Sequence, residues 1–495
     1  MNISVADCLV CLQGQTTLFK AEEAFFQLIF TKATELFGLA LEKLDKQLYQ
    51  KTKEKHAPGR VHSLGRDSRT ITFCFGTVVF KRRHIEMPDG SRVYLLDEAL
   101  AFQARRQFSP LLMAKIADLV ADSTMRQVAK AVTSLTNCSV TAPAVDNIMR
   151  GIGQDLTLVR TQEAKEEEEA EPGERKSVKE LYIEGDAFMV RGRCARGKRN
   201  HRQRNLPFMR TVHRFQIYEA VEKNGTRHTL INRHVVSHLN RVVAIRELEA
   251  YLMANYDLSQ TTVFTGSDNG SGYEPEVFAD IAAGALREIH VLDRYHLNRK
   301  ITARLSGFPQ EIRELVRKAA HTGDKDSLDK ALDTCQSLAA ADETRAADRT
   351  EDVRLLRDYF ARNWASIEPL ADPTIYRQTR SLGCCESNHR RYTYRLKHQG
   401  RAWSKAGLEA MLRIIDAEQN ADFFASLQET ELLGTTFMPE VAETAEKDIN
   451  LQALGLFKAL PTKHVGVRHG GIGRNTSTSS ALGQLNKQLN MGSSY

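Results

Sequence analysis

At 495 residues, with 42% hydrophobic and 26% charged residues, the chain is globular in composition and too long for one simple core, so roughly two to four domains are expected. No run of eighteen or more apolar residues occurs and MNISVADCLV has neither a basic start nor a long apolar stretch, so a membrane-spanning helix and secretion are not expected and a cytoplasmic protein is. The formal charge of +7 is modest, but the runs RGRCARGKRNHRQRNLPFMRTVHR (191–214) and HRRYTYRLKHQGRAWSK (389–405) contain no acid, a pattern that commonly meets polyanions.

The eight cysteines are scattered, as free thiols in a reducing compartment are. Cys8 and Cys11 have C-x-x-C spacing without a second pair; a zinc site would need Cys74, His62 or His84, and two ordinary thiols are expected. Residues 20–55 carry Phe25, Ile29, Leu36, Ala40, Leu44 and Leu48 at three- and four-residue steps, which predicts one helix roughly 50 Å long. Such a helix needs a partner, either its own domain or another subunit. Residues 69–96 alternate and are rich in Thr, Val and Phe, with a Pro88-Asp89-Gly90 turn, which predicts two or three antiparallel strands. Between Pro110 and Gly153 three helices are expected, the last from Ala142 to Arg150 capped by Thr141, in an order like a helix-turn-helix. TQEAKEEEEAEPGERK (161–176) reads as a self-repelling linker.

After the linker the pattern turns to strands. LYIEGDAFMV (181–190), MRTVHRFQIYEAVE and HTLINRHVV form an antiparallel trio, with Lys223-Asn224-Gly225 as a turn. A helix over 240–255, the strand TTVFTGSDNG, a helix over 274–286, the strand EIHVLDRYH and a helix from near His296 follow. Three antiparallel strands followed by helix–strand repeats is the order of a ribonuclease H-like domain. Residues 300–380 read as all-helical, and the tail from about Lys463 as disordered.

Strand side chains alternate faces, so Glu184 and Asp186 share one, where like charges repel and burial is costly. Asp186 lies mid-strand, Asp268 closes the strand TTVFTGSD, and Glu386 in SLGCCESNHRR stands at a helix start. In this topology the three can converge, and clustered carboxylates are tolerated when cations neutralise them. Two Mg²⁺ or Mn²⁺ ions about 3.5–4 Å apart would do so. Gly185, directly before it, favours Asp186 over Glu184, which is left supporting or paired with a basic residue. Asp280 and Asp293 rival Asp268. Arg391 and Arg395, four apart on a helix, would hold phosphates beside the metals, and Tyr392, Tyr394 and Trp403 would stack on a frayed base. His296 would orient Asp293 or the scissile strand.

At these residues the chain resembles the ISLre group of bacterial insertion-sequence transposases, which are DDE-type enzymes with Mutator-like relatives. The carriers are RTITFCFGTVVFKRR…VYLLDE, LYIEGDAFMV, VLDRYHLNRKI and GCCESNHRRYTYRLKHQGRAWSKAGLEAML. The resemblance implies an acid triad of Asp186, Asp268 and Glu386, cleavage at element ends, strand transfer into target DNA, an N-terminal region gripping the ends and a helical insertion before the glutamate. One departure is Asn269 after Asp268, where the family pattern has glycine.

The expected architecture is therefore multidomain α+β. It comprises a long N-terminal helix (1–60) suited to oligomerisation, a β-hairpin subdomain (61–105), helix-turn-helix-like DNA-binding helices (106–158) and an acidic linker (159–178). A ribonuclease H-like α/β catalytic domain (179–420) with an all-helical insertion at about 300–380 follows, then C-terminal helices and a flexible tail (421–495). The partners expected are double-stranded DNA, as terminal inverted repeats and target, and a second copy of the chain in the nucleoid. Lys198, Arg199, Arg202, Arg390, Arg391, Arg395, Lys397, Arg401 and Trp403 are the DNA-contacting candidates. The competing expectation is a sequence-specific DNA-binding regulator with an inactive ribonuclease H-like domain.

Overall fold

The computed structural model describes residues 4–169, 175–193, 208–224, 227–342, 344–379, 382–398 and 401–430. Helix α1 (Val5–Gln13) starts in a capping box between Ser4 and Asp7, and α2 (Leu18–Lys55) is capped by Thr17. A three-stranded antiparallel sheet follows, β1 (His62–Phe73), β2 (Gly76–Glu86) and β3 (Arg92–Val93). Helix α2 lies on it through polar clamps. Asp45 accepts from the Arg83 backbone N–H at 2.9 Å and its Nη1 at 2.5 Å, and Glu42 accepts from the Lys81 N–H at 2.9 Å. Among the described residues α2 alone is long and apolar enough to cross a membrane, by length and composition only.

After α3 (Leu95–Ala99) come α4 (Pro110–Asp122), capped by Ser109, and α5 (Met125–Leu135), closed by a Thr124–Gln127 capping box. Helix α6 (Ala142–Glu169) corrects two expectations. It neither stops at Arg150 nor gives way to a linker at 161, because Val145, Ile148, Met149, Ile152, Leu156, Val159 and Ala164 keep a buried stripe going. Arg160 then bonds Asp422 at 2.6 Å and Glu163 at 2.9 Å. The buried stripe packs with the C-terminal helices rather than offering a free recognition face, so the boundary expected at 159–178 does not separate two cores.

The main sheet is built from β5 (Glu180–Arg191), β6 (Met209–Tyr218), β9 (His234–His238), β11 (Thr262–Ser267) and β12 (Arg287–Leu292), after the two-residue strand β4 (Lys176–Ser177). Their spatial order is β12-β11-β5-β6-β9, with β11 and β12 parallel to the central β5, β6 antiparallel to β5, and β9 antiparallel to β6. The expected third strand divides in two. Its first part, β8 (Arg227–Ile231), pairs with β7 (Ala220–Asn224) as a side hairpin, and only β9 joins the sheet. Helix α7 (Arg241–Asn255), the bridge strand β10 (Tyr256–Asp257) and α8 (Pro275–Ile281) complete the repeats, with α7 and α8 covering one sheet face over Leu181, Ile183, Phe215 and Val263.

Between β12 and the last catalytic candidate run α9 (Arg294–Arg304), α10 (Gln310–His321), α11 (Lys325–Ala340), α12 (Ala346–Asn363) and α13 (Pro373–Gln378). The first four close on a core of their own, including Leu297, Ile301, Val316, Leu332 and Leu356. Helices α14 (Cys384–Leu396), α15 (Lys405–Asn420) and α16 (Phe423–Gln428) then return to pack with α4–α6. The expected tail from Lys463 lies outside the described residues.

Candidate functional site

The two acids of β5 have different roles, and burial separates them. Glu184 is 2% exposed. One of its oxygens accepts from the Tyr218 hydroxyl at 2.6 Å; the other accepts from the backbone N–H groups of Gly383 at 3.2 Å and Cys385 at 2.7 Å. Those N–H groups open α14, whose N-cap, Gly383, sits at φ +96° and has no side chain to cap with. Glu184 therefore caps α14 from the sheet, a carboxylate at the positive end of a helix. Burial pushes its carboxyl up, while the Tyr218 and Cys385 bonds pull it back toward the charged form. The sequence expectation that it pairs with a basic residue is corrected by these donors.

Asp186, on the same face, keeps some exposure; Oδ1 accepts from the Ala187 N–H at 2.6 Å and Oδ2 lies 3.6 Å from His389 Nδ1. Parallel pairing of Gly266 with Glu184, carried two residues on, sets Asp268 beside Asp186. Pairing of Ser267 with Leu292, carried one residue on, sets Asp293 beyond Asp268. Adjacent strands are about 4.8 Å apart, so the three acids form one row across the sheet, Asp186 midway along β5 and Asp268 and Asp293 just past the ends of β11 and β12. Asp293 is committed to another task, capping α9 through the Tyr295 and His296 N–H groups at 2.6 and 3.4 Å. Asp280 is exposed on α8 and faces Glu249, away from the row.

His296 Nδ1 stands 3.6 Å from Asp293 Oδ2. The Asp293 carboxylate beside it raises its pKa, against the burial that lowers it, and the charges of Asp186 and Asp268 add to the rise, so one imidazole feels all three acids. Tyr273, not singled out from the sequence, donates to the Asp186 carbonyl at 3.1 Å and meets His213 Nδ1 at 2.8 Å. The turn after Asp268 is tight: Oδ1 accepts from the Gly270 N–H at 2.8 Å, and Asn269 takes φ +53°.

Helix α14 lies against β5. Glu386 is in its first turn, and its side chain lies outside the described set. One residue back, Cys385 is buried, which pushes its thiol well up, and its Sγ is 3.6 Å from His389 Nε2. His389 was also missed, although it stands one turn after Cys385 in the acid-bearing motif; burial first, then Arg214, drives it down to about 2, so it is neutral beside Asp186. Arg214, fully buried and paired across strands with Asp186, donates to the Cys385 carbonyl at 3.2 Å and to Gln216 at 2.8 Å.

Several DNA-contact expectations are corrected. Arg395 is 2% exposed and donates to the Val120 carbonyl at 2.7 Å. Tyr392 is buried on Asp416 at 2.5 Å, and Trp403 is buried with Nε1 on the Leu396 carbonyl at 3.1 Å. The i,i+4 spacing of Arg391 and Arg395 marks a face turned toward α4 and α15: Arg391 reaches Asp122 at 3.5 Å and Glu418 at 3.8 Å. Arg401 is half-buried on the Tyr394 and Arg395 carbonyls. Arg390, Tyr394 and Lys397 are exposed, and Lys198, Arg199 and Arg202 lie outside the described residues.

Oxygen donors of Asp186 and Asp268 are the hard set that Mg²⁺ or Mn²⁺ takes, and a third would come from Glu386. Among the described residues no three His, Cys, Asp or Glu side chains are grouped closely enough to hold an ion, Cys8 and Cys11 included.

A relative from Streptococcus gallolyticus, a "UPF0236 protein in vanSb 3'region", is 31% identical over 97% of this chain and 98% of its own length. A UPF0236 protein of Caldanaerobacter subterraneus subsp. tengcongensis is 24% identical over 76% of this chain and 72% of its own. Another from that organism, 22% identical over 77% of this chain and 73% of its own, has a name that strings together eleven designations. Among solved structures, the Drosophila P element transposase strand transfer complex aligns with 70% of this chain and 88% of that one at 10% identity, with a TM-score of 0.23, a likeness too slight to argue from. The family model of UPF0236, an uncharacterised protein family, matches residues 16–428, and the chain belongs to that family.

Proposed function

We propose that the chain is a DNA transposase of the ISLre group that cuts element ends and joins them to target DNA on a ribonuclease H-like domain. The observation that carries this reading is the parallel register of β11 on β5, which, continued two residues past Gly266 and Glu184, brings Asp268 at the end of β11 level with Asp186 in the middle of β5. The strand order β12-β11-β5-β6-β9, with β5 central, supports the fold. The α14 start, held to β5 by Glu184, supports Glu386 as the third acid. The eleven designations of one relative also fit, since mobile DNA leaves many copies in one genome.

Asp186, Asp268 and Glu386 would hold two Mg²⁺ or Mn²⁺ ions, which when bound acidify the attacking hydroxyl and stabilise the leaving oxygen. The remaining chemistry belongs to the chain. Neutral His389 adds no positive charge beside Asp186. His296 stands on the acid row, where its raised pKa suits it to bond a phosphate oxygen of the scissile strand. Arg390, exposed on α14, and Lys397, exposed at its C-cap, supply phosphate contacts.

The test is cleavage and joining of labelled element-end DNA with Mn²⁺. Asp186→Asn and Asp268→Asn are expected to lose at least about 100-fold in rate, as when transition-state charge stabilisation is removed, while still binding DNA. Wild-type activity in either variant overturns the reading. A regulator with an inactive domain would bind the same ends with steep salt dependence and cut nothing.

A further inference from the structure

We propose that α2 is the interface with a second copy of this chain, packed antiparallel. The inference is independent of the catalytic reading. The helix has two opposite faces. Gly38, Leu41, Asp45 and Leu48 are buried toward the β1–β2 hairpin, held there by the Arg83 and Lys81 bonds. On the other side runs a heptad stripe of Leu18, Glu22, Phe25, Ile29, Lys32, Leu36, Leu39 and Lys43. Its five apolar members are all exposed, from 37% for Phe25 to 78% for Leu18. Helix α1 packs along the N-terminal part of α2, with Asp7 near Lys32, yet none of its residues is buried, Val5 and Val10 are themselves exposed, and the five apolar members of the stripe stay exposed beside it.

Charge selects the occupant. The stripe has an acid toward its N-terminal end, Glu22, and a base at its C-terminal end, Lys43, both exposed. A parallel copy would set like beside like. An antiparallel copy layers Phe25 on Leu36 and Leu39 on Glu22, and sets each Glu22 one turn from Lys43 of the second copy. The two-fold axis then falls between residues 30 and 31. Lys32 at the centre is already bonded within its helix to Glu35 at 3.1 Å. The span from Glu22 to Lys43 is about 32 Å at 1.5 Å per residue, six turns of contact. A lipid surface is disfavoured by the same charges, which interrupt the stripe at both ends and its middle.

The experiment is the molar mass of the full chain in solution under reducing conditions, by light scattering and by sedimentation over a concentration series, with anionic vesicles as a parallel arm. A dimer is expected for wild type. Ile29→Glu with Leu36→Glu is expected to be monomeric with an unchanged thermal midpoint. Glu22→Lys or Lys43→Glu alone should weaken the dimer about tenfold, since two symmetric pairs of roughly 0.5–1 kcal/mol are lost, and the two together should restore it. Rescue by the double reversal is specific to the antiparallel second copy. A monomeric wild type, a dimer surviving the Ile29 and Leu36 changes, failure of the double reversal to rescue, or vesicle binding without dimer formation overturns the proposal.

Discussion

Asn269 follows Asp268 at φ +53°, a left-handed backbone that glycine adopts freely and asparagine tolerates better than other side-chain-bearing residues. Its amide Nδ2 donates to Asn363 Oδ1 and Ser366 Oγ at 3.0 Å each, and its Oδ1 accepts from His290 Nε2 at 2.9 Å. The departure from Asp-Gly thus keeps the turn and ties it to the end of α12, which carries the helical insertion. Asn269→Gly should relax the backbone and lose those bonds, destabilising by about 1–2 kcal/mol; Asn269→Ala keeps the strain and loses them too, for about 3 kcal/mol. Urea unfolding of the two variants checks this, and an alanine variant as stable as the glycine one would contradict it. In the sequence, strand alternation puts Glu184 and Asp186 on one face, and Gly185, directly before Asp186, favours it. The sequence could not show what Glu184 does, because its donors at Gly383 and Cys385 lie 199 and 201 residues away. Two acids on one strand face look alike until the fold shows that one is covered by a helix end.

At the scale of the element, α14 combines two jobs on two faces. Its start was readable from the glycine and the acid-bearing motif, and the strands and most helices were readable from their periods. Which arginine faces inward was not, because a spacing of four fits a buried stripe as well as a phosphate-binding face. Arg395 is inside: burial holds it down to about 10, and its guanidinium lies 5.0 Å over the Trp403 ring. Lys397 is outside, its ammonium 5.2 Å over Phe188, two residues after Asp186 on β5. Arg395→Ala is therefore expected to destabilise by about 3 kcal/mol, by stripping buried acceptors of a charged donor, and to leave the salt dependence of DNA binding alone. Lys397→Ala should do the reverse, reducing the salt slope by about 0.9 with a stability change within about 0.5 kcal/mol. Titrations of element-end DNA across salt, run beside thermal melts, separate the two. An unchanged slope for Lys397→Ala would remove this face of α14 from the DNA contact.

In the whole molecule, the N-terminal helices and the sheet are parts of one core. Helix α6 runs from the helices read as DNA-binding toward the main sheet and the C-terminal helices, and the buried cluster runs from Leu112 through Ile152 and Phe188 to Leu408 and Leu427. This was hidden from the sequence because the glutamates after Thr161 look like a linker, whereas the stripe of Leu156, Val159 and Ala164 and the Arg160–Asp422 bond extend the helix. The closest approach is at Gly153, where an added Cβ would stand 2.4 Å from Ala410 Cα and Cβ, so α6 and α15 touch backbone to backbone. Two independent domains would let a fragment starting at Arg175 fold alone. One shared core forbids it, since α15 would expose Leu408, Met411, Leu412 and Ile415, all buried in the full chain. The fragment 175–430 is expected to show no cooperative melt. In the full chain, Gly153→Val should overpack the crossing by at least about 1–3 kcal/mol and lower amide-exchange protection in α4, α6 and α15 together. Protection lost in α4 and α6 while α15 and β5 keep theirs would mean the two regions fold separately. A shared loss would mean that movement of the N-terminal helices is transmitted directly to the strand bearing Asp186, through Phe188 and Val190, which belong to the same cluster.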